Sequence, residues 1–392
     1  MFGSIYIGLS GLNAYSRGLK QVSNNVANLN SQGFKSSTVS FTDLFGARQN
    51  GGLSYSAGQG SSGHGVRMGD TVFDMSSGEL RQTDRDLDLS IDGSGFLMLM
   101  RGGEVAYTRT GSFEVDKDGY IVLSGSDYRL ATLDSAGRPV SLSIDQLGTN
   151  PPKATTKIVL ANNLSADSTV PQLVSNIKVV DLDGGQHVWQ AKFERVANST
   201  GQWTATVTDE KGVQVGGSPK TFTIINGRID PATSVLDFTT SGWTVSFDMA
   251  GIGSYAGGNT STLSAASVDG YAVGTITSLS VNKDGELEIG YSNAQKKQLG
   301  AVAVADFRDP QALEQRSGGL FSDSGGAGRQ LLASTDPRVG LVKSRTLEAS
   351  NVDLSREFGD LILIQRGFQA SSQIISVTND MIQQLFGIRG QG

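Results

Sequence analysis

The chain has 392 residues, 38% of them hydrophobic, with 32 basic against 38 acidic side chains and a net charge of −6. That length suffices for two or three domains with buried cores. The acidic balance argues against a nucleic-acid partner, which wants a basic face. Cysteine is absent, so disulfides, zinc–thiolate sites and thiol nucleophiles are excluded.

The first segment is amphipathic. Ile5, Leu12, Leu19 and Val26 recur every seven residues, and Tyr15, Val22 and Leu29 stand three places after the last three of them. Apolar residues at both heptad positions predict a helix that packs in coiled-coil fashion. Its polar side carries Gln21, Ser23, Asn24, Asn25, Asn28 and Asn30. A freely solvated helix would show Glu and Lys there; short polar groups permit close packing instead. The first basic residue is Arg17, and Ser10, Asn13 and Ser16 interrupt the apolar ones, so a cleavable secretory signal is not expected. No run of 18 apolar residues occurs, so membrane insertion is not expected either.

Residues 32–70 are rich in Gly and Ser and read as an extended linker. From 71 to 145 the pattern is hairpins: GFLMLM and EVAYTR flank Gly102-Gly103, while SFEV and YIVL flank Asp116-Lys117-Asp118-Gly119. From 146 to 285 a clean alternation takes over, with Trp189, Ala191 and Phe193, then Trp203, Ala205 and Val207, then Trp243, Val245 and Phe247 on one face. All three tryptophans of the chain lie here, which predicts a separate sandwich or barrel inserted into the surrounding domain. Glycine, at 51 residues roughly twice the usual ~7% share, suits a hairpin-rich protein whose turns need positive φ. Short strands return over 286–349. The last segment repeats the heptads of the first: Leu347, Leu354, Leu361, Phe368, Ile375 and Ile382, joined by Ile364 and Leu385. Asn351 and Asp353 sit where a cap could form, and Gly387 and Gly390 mark an end. The expected fold is α+β. A core β domain (71–145 and 286–349) with an inserted β domain (146–285) is flanked by terminal helices (1–31 and 350–392) that form a coiled-coil-like inner domain.

Enzyme-like signals are weak. Gly58-Gln59-Gly60-Ser61-Ser62-Gly63 matches a dinucleotide fingerprint but opens no helix. Asp181-Leu182-Asp183-Gly184 and Asn282-Lys283-Asp284-Gly285 resemble calcium loops, yet both lack the twelfth-position glutamate and read better as hairpin turns. The histidines, His64 and His187, stand in the linker and beside a turn, away from any triad or metal motif. Asp84, Asp86, Asp88 and Asp92 alternate on what reads as a solvated strand face. No catalytic, cofactor or metal residue is expected. A secreted β-domain binding protein or hydrolase is the alternative of another class.

The residues VSNNVANLNSQGFKSS at 22–37 resemble the N-terminal signature of the flagellar axial rod and hook family, matching it at Asn24, Asn25, Ala27, Asn28, Gly33, Phe34 and Lys35. LEASNVDL resembles its C-terminal partner through Leu347, Glu348, Ser350, Asn351, Val352, Asp353 and Leu354, followed by Gln365, Arg366, Phe368, Gln369 and Ala370. DLDLSIDGSGFLML, YTRTGSFEVDKDGYIV and YSNAQKKQLGAVAVADFRDPQAL are similar to the family's core domain. The chain departs from the pattern at Gly359 and Gly367, each expected to soften the C-terminal helix by roughly 1 kcal/mol if exposed.

The resemblance implies a non-enzymatic subunit, exported by the flagellar type III apparatus to the outside of the cell, and polymerising into a curved tube that transmits torque. Implied partners are other copies of the chain, a distal cap, the distal rod and a hook–filament junction protein. A distal rod or junction role within the family is the alternative. On this reading Ile5, Leu12, Tyr15, Leu19, Val22, Val26, Leu29, Leu354, Leu361, Ile364, Phe368, Ile375, Ile382 and Leu385 form the subunit interface. The termini are expected to pair only when copies stack, and the Gly-rich stretches 46–65 and 317–328 to serve as hinges.

Overall fold

The computed structural model of the chain describes residues 2–43, 65–240 and 242–389. It is mainly β, with one long helix at each end: α1, Phe2–Ala27, and α2, Leu354–Arg389. The expected α+β class holds. The fingerprint at 58–63, His64, the first Gly-rich stretch up to 64 and Gly390 lie outside the described residues.

Two compact units divide the chain. The first comprises 1–145, 279–288 and 298–392; the second comprises 146–278 and 289–297. In the first, twelve of the described strands pair into one sheet. Strands from both halves of the sequence interleave there: Leu97 pairs with Val304, and Ile91 with Val342. Its core is aromatic and tightly angled, with Phe96 edge-on to Phe307 and to Phe321 at 5.5 Å, and Tyr107 edge-on to Phe307 at 4.9 Å. Phe321 and Ala327 are fully buried, and strand Leu320–Ser322 pairs with Glu104–Thr108. Within 317–328, then, Leu320–Ser322 belongs to the sheet and Ala327 to its core, while 317–319 form the turn that leads into the strand. The acidic strand also differs from expectation. Asp88–Ile91 is buried on both faces, while Asp86 and Asp92 pair with Arg345 and Lys343.

The second unit wraps a nine-stranded sheet around one core. Each alternating residue named above is at most 6% exposed. Trp189 and Trp243 pack in a tilted pair with centroids 5.3 Å apart, and the Trp243 indole donates to the Thr155 carbonyl at 2.6 Å. One turn solution recurs through both units. Asp116, Asp134, Asp181, Asp209 and Asn282 each accept, through Oδ1, the backbone N–H groups two and four places on. The glycine three places on takes positive φ in every case, from 73° at Gly137 to 87° at Gly184. The side chain replaces a missing backbone partner, and glycine alone enters that region without strain.

Candidate functional site: the helix pair and its junction

Helices α1 and α2 run antiparallel, and from Gly11 onward each step up α1 is matched by an equal step down α2. Gly8 faces Ile375, Gly11 faces Ser371, Tyr15 lies on Gly367, Gly18 faces Ile364, and Asn25 donates to Glu357 at 2.8 Å. The buried seam is built of small residues. Gly8, Gly11, Ala14, Gly18, Val22 and Asn25 are buried on α1; Glu357, Ile364, Ser371 and Thr378 on α2. A Cβ on Gly8 would come within 2.7 Å of Ile375, and one on Gly11 within 2.5 Å of Ser371 Oγ. Absent side chains let the backbones approach closely, as small residues do between helices generally.

This seam overlaps the heptad register read from the sequence only in part, through Tyr15, Val22, Ile364 and Ile375. Of the expected interface residues only Val22 and Ile364 are buried, and both are buried within the pair formed by the chain itself. Ile5, Leu12, Tyr15, Val26 and Leu29 are half-buried, as are Leu361, Ile375 and Ile382. Leu19, Leu354 and Phe368 are exposed; the Leu385 side chain is outside the described set. The termini therefore pair inside one molecule rather than only between copies. Asn25, expected on the polar face, is 1% exposed and sits in the seam. The pattern was present in the sequence as small residues spaced three and four apart. Apolar bulk is the stronger sequence signal: it marks Tyr15, Val22, Ile364 and Ile375, which reach the seam, but not the glycines that line it.

Gly367 has a positive reason to lack a side chain. The Tyr15 ring lies over it, within 2.4 Å of where a Cβ would be, whereas Gly359 has open space around it. Asp353 caps α2, accepting from Ser355 and Arg356 N–H at 2.9 and 3.3 Å. Asn351 does not cap. The helix continues through Gly387 to Arg389, so that glycine does not end it.

Below the pair, the motif residues converge. Gly33, at φ 64°, turns the chain tightly against Thr110, and its N–H donates to the Glu348 carbonyl at 2.9 Å. This turn carries Lys35 into the interior, where its ammonium donates to Glu348 Oε1 and the Ser76 carbonyl, both at 2.6 Å. Arg109 approaches the other Glu348 oxygen at 3.4 Å and donates to the carbonyls of Gly95 and Gly93 at 2.7 and 2.5 Å. Lys35 and Glu348 have no exposed side-chain surface and Arg109 has 1%. Burial pushes the Lys35 pKa down, and the Glu348 carboxylate opposes that shift; the Arg109 guanidinium is lowered for the same first reason. Asn351 ties three segments, accepting from Ser36 N–H at 2.8 Å and donating to the carbonyls of Asp74 and Ser76. Asn25 brackets Ser37, accepting its N–H at 3.2 Å and donating to its carbonyl at 2.8 Å, while Gln21 bonds the Ser37 hydroxyl. Burial raises the Glu357 pKa, against the Asn25 amide, which lowers it.

The two end motifs are therefore one structure. Gly33, Phe34, Lys35, Asn351 and Val352 are brought together, with Asn25 directly above. Asn28 folds back on Asn24 at 2.9 Å, while Asn24, Ala27, Gln365 and Arg366 stay exposed and Ser350 is half-buried. Arg109 and Thr110, which complete the junction, lie in the segment YTRTGSFEVDKDGYIV that resembles the family's core domain, but nothing in that segment marks them as partners of the two end motifs. Among the described residues no group of three His, Cys, Asp or Glu side chains is placed to hold a metal ion, and no helix is long and apolar enough to cross a membrane.

Three sequence families match in chain order: Flagella basal body rod protein over residues 5–35, Flagellar hook protein FlgE/F/G D1 domain over 90–181, and Flagellar basal body rod FlgEFG protein C-terminal over 343–388. The Flagellar hook protein FlgE of Borreliella burgdorferi is 26% identical, aligning 99% of this chain with 100% of that one. Its counterpart in Salmonella typhimurium is 27% identical over 97% of this chain and 98% of that one. A solved structure, Helicobacter pylori flagellar hook protein FlgE2, covers 69% of this chain at 12% identity with a TM-score of 0.46. With both end motifs folded into one junction and the three matches falling in order, the chain belongs to the flagellar rod and hook protein family.

Proposed function

We propose that the chain is the structural subunit of the flagellar hook, polymerising into a curved, flexible tube that passes torque from rod to filament. The observation that carries this is the orientation of apolar bulk on the helix pair. Tyr6, Leu9, Ile362, Leu363, Met381 and Phe386 are all more than half exposed, although the pair has already closed its own seam. Fully burying such a side chain is worth roughly 1.5–3 kcal/mol, so apolar faces on both helices reward stacking against further copies. A repeated head-to-tail contact that does not close generates an open helical tube. The junction supplies the mechanical link: a buried ion triad and backbone-bonded Asn351 fasten the helix pair to the β sheet, so rotation of one drives the other.

On this reading the chain has no catalytic role. Its buried charges join segments instead of facing a cleft. It leaves the cell through the type III apparatus, lies in the hook outside the cell, and meets the distal rod, the cap and a hook–filament junction protein at the ends of the tube. The test is electron microscopy and sedimentation of the purified full chain. Curved tubes forming above a critical concentration are expected. A monodisperse monomer at every concentration, with the outward faces of both helices fully protected in hydrogen exchange, would overturn the reading.

A further inference from the structure

Two grooves flank the ribbon formed by strands Phe41–Asp43 and Val66–Met68, in which Phe41 and Met68 are direct partners. One, of about 510 Å³, is lined by apolar Val22, Phe41, Leu363 and Ile364 and by the acids Asp74, Asp353 and Asp360 against the single cation Arg356, with the buried Glu357 beneath. The other, of about 520 Å³, lies along α1; its apolar ridge is Tyr6 and Leu9, and its charged residues are Arg17 and Arg67, with no acid. Leu363 is 69% exposed, Tyr6 60% and Leu9 53%. No ion pair is formed by Arg17 or Arg67 among the described residues. The charges of α1 itself are Arg17 and Lys20 alone, while the first turns of α2 carry most of the acid.

We infer that these grooves are the two halves of one contact between copies: the basic face of α1 in one subunit docks into the acid-rimmed groove beside the start of α2 in the next. The inference rests on the hook reading above and adds the face, the polarity and the charge pairing. Their complementarity argues for a second copy as the occupant. Each groove is unlike itself in charge and shape, so two acidic grooves repel and two basic ones repel. When each copy uses one groove toward the copy before it and the other toward the copy after it, the contact is heterologous and repeats along an open assembly. The grooves are centred some ten residues apart along α1, about 15 Å at 1.5 Å per residue, so repeating the contact advances each subunit along the assembly. Charged rims set encounter rate and register, and the apolar floors supply the cohesion.

Full-length Arg17→Glu and Asp360→Lys variants, each checked for a native circular dichroism spectrum, test the pairing by the critical concentration for tube growth. Each single variant is expected to raise it at least tenfold, and the Arg17→Glu/Asp360→Lys double swap to restore it to within about threefold. Growth of the native chain should slow as sodium chloride screens the rims. Single variants that assemble normally, or a double variant no better than either single, overturn the inference while leaving the hook reading intact. A native chain that forms no tube overturns both. A photo-crosslinker at Leu363 provides an independent check. Products of dimer mass joined to residues 6–17 or 66–68 support the contact, and crosslinks confined to one chain overturn it.

Discussion

The second unit and the terminal helix pair solve burial in opposite ways. Phe193, Phe238 and Val245 have no exposed surface, and the three tryptophans are at most 6% exposed. The bulkiest groups of that unit face its own core. The helix pair buries Gly8, Gly11, Ala14, Gly18, Ser371 and Thr378 and turns its bulk outward. One region is finished as a single copy. The other is finished only along its seam, and its largest apolar groups are left for something else to cover. Stability and assembly thus reside in separate stretches of sequence, which a substitution can strike one at a time.

The largest effects should come from the two interiors, and they should be separable. Because all three tryptophans lie in the second unit, fluorescence reports that unit while helical circular dichroism reports the first. Phe247→Ala removes a buried ring edge-on to Phe238, and about 3–5 kcal/mol of stability should be lost in the fluorescence transition alone. Glu348→Gln leaves Lys35 and Arg109 buried without their anion; about 3–5 kcal/mol should be lost in the helical transition, with fluorescence unmoved. Should both signals shift together in either variant, the two regions are not independent.

Two glycines of α2 sharpen the contrast inside one helix. Gly367→Ala forces a methyl into the Tyr15 ring and should destabilise the pair by about 1–3 kcal/mol. Gly359→Ala adds a methyl to open space and should stabilise it by about 1 kcal/mol through helix propensity. Equal effects of the same sign in thermal melts would show that the seam does not govern this helix. The smallest expected effect is in the second unit. There His187 bonds Asp181 at 2.9 Å and faces Glu210 at 3.6 Å, and its pKa is raised, chiefly by the Asp181 bond. A histidine whose folded pKa exceeds the unfolded value of about 6.5 adds stability below that pH and loses it as pH rises through the folded value. The side chain is 37% exposed, so solvent screens the gain. A modest rise in second-unit stability on acidification, absent in His187→Asn, is the result to seek.

The β units were largely legible because their rules are local. Alternation of Trp203, Ala205 and Val207 fixes which face is buried, and an Asp or Asn three places before Gly fixes the turn. The helices were legible as helices but not in their packing, since heptad bulk at Leu12 and Leu19 outweighs glycines in any hydrophobic count although the glycines decide how close two backbones come. The polar junction was half legible: Lys35 and Asn351 stood out by resemblance. The residue that binds Lys35 lies 313 positions away, and Arg109 reads alone as an ordinary strand residue. Asp88 misled for a related reason. Its alternation with Asp86 suggests a wet face, yet strand Thr110–Val115 covers it on one side.

The span between Lys35 and Glu348 also orders events in time. Each Asp- or Asn-headed turn closes a hairpin from neighbours a few positions apart, a fast step with little entropy to overcome. The triad cannot close until almost all of the polypeptide is present and its ends have found each other, and contacts so distant in sequence form slowly. By sequence separation alone, hairpin closure is expected early and fastening of the two extremities to the sheet late. Until that step, a newly made copy carries finished β units and unanchored ends.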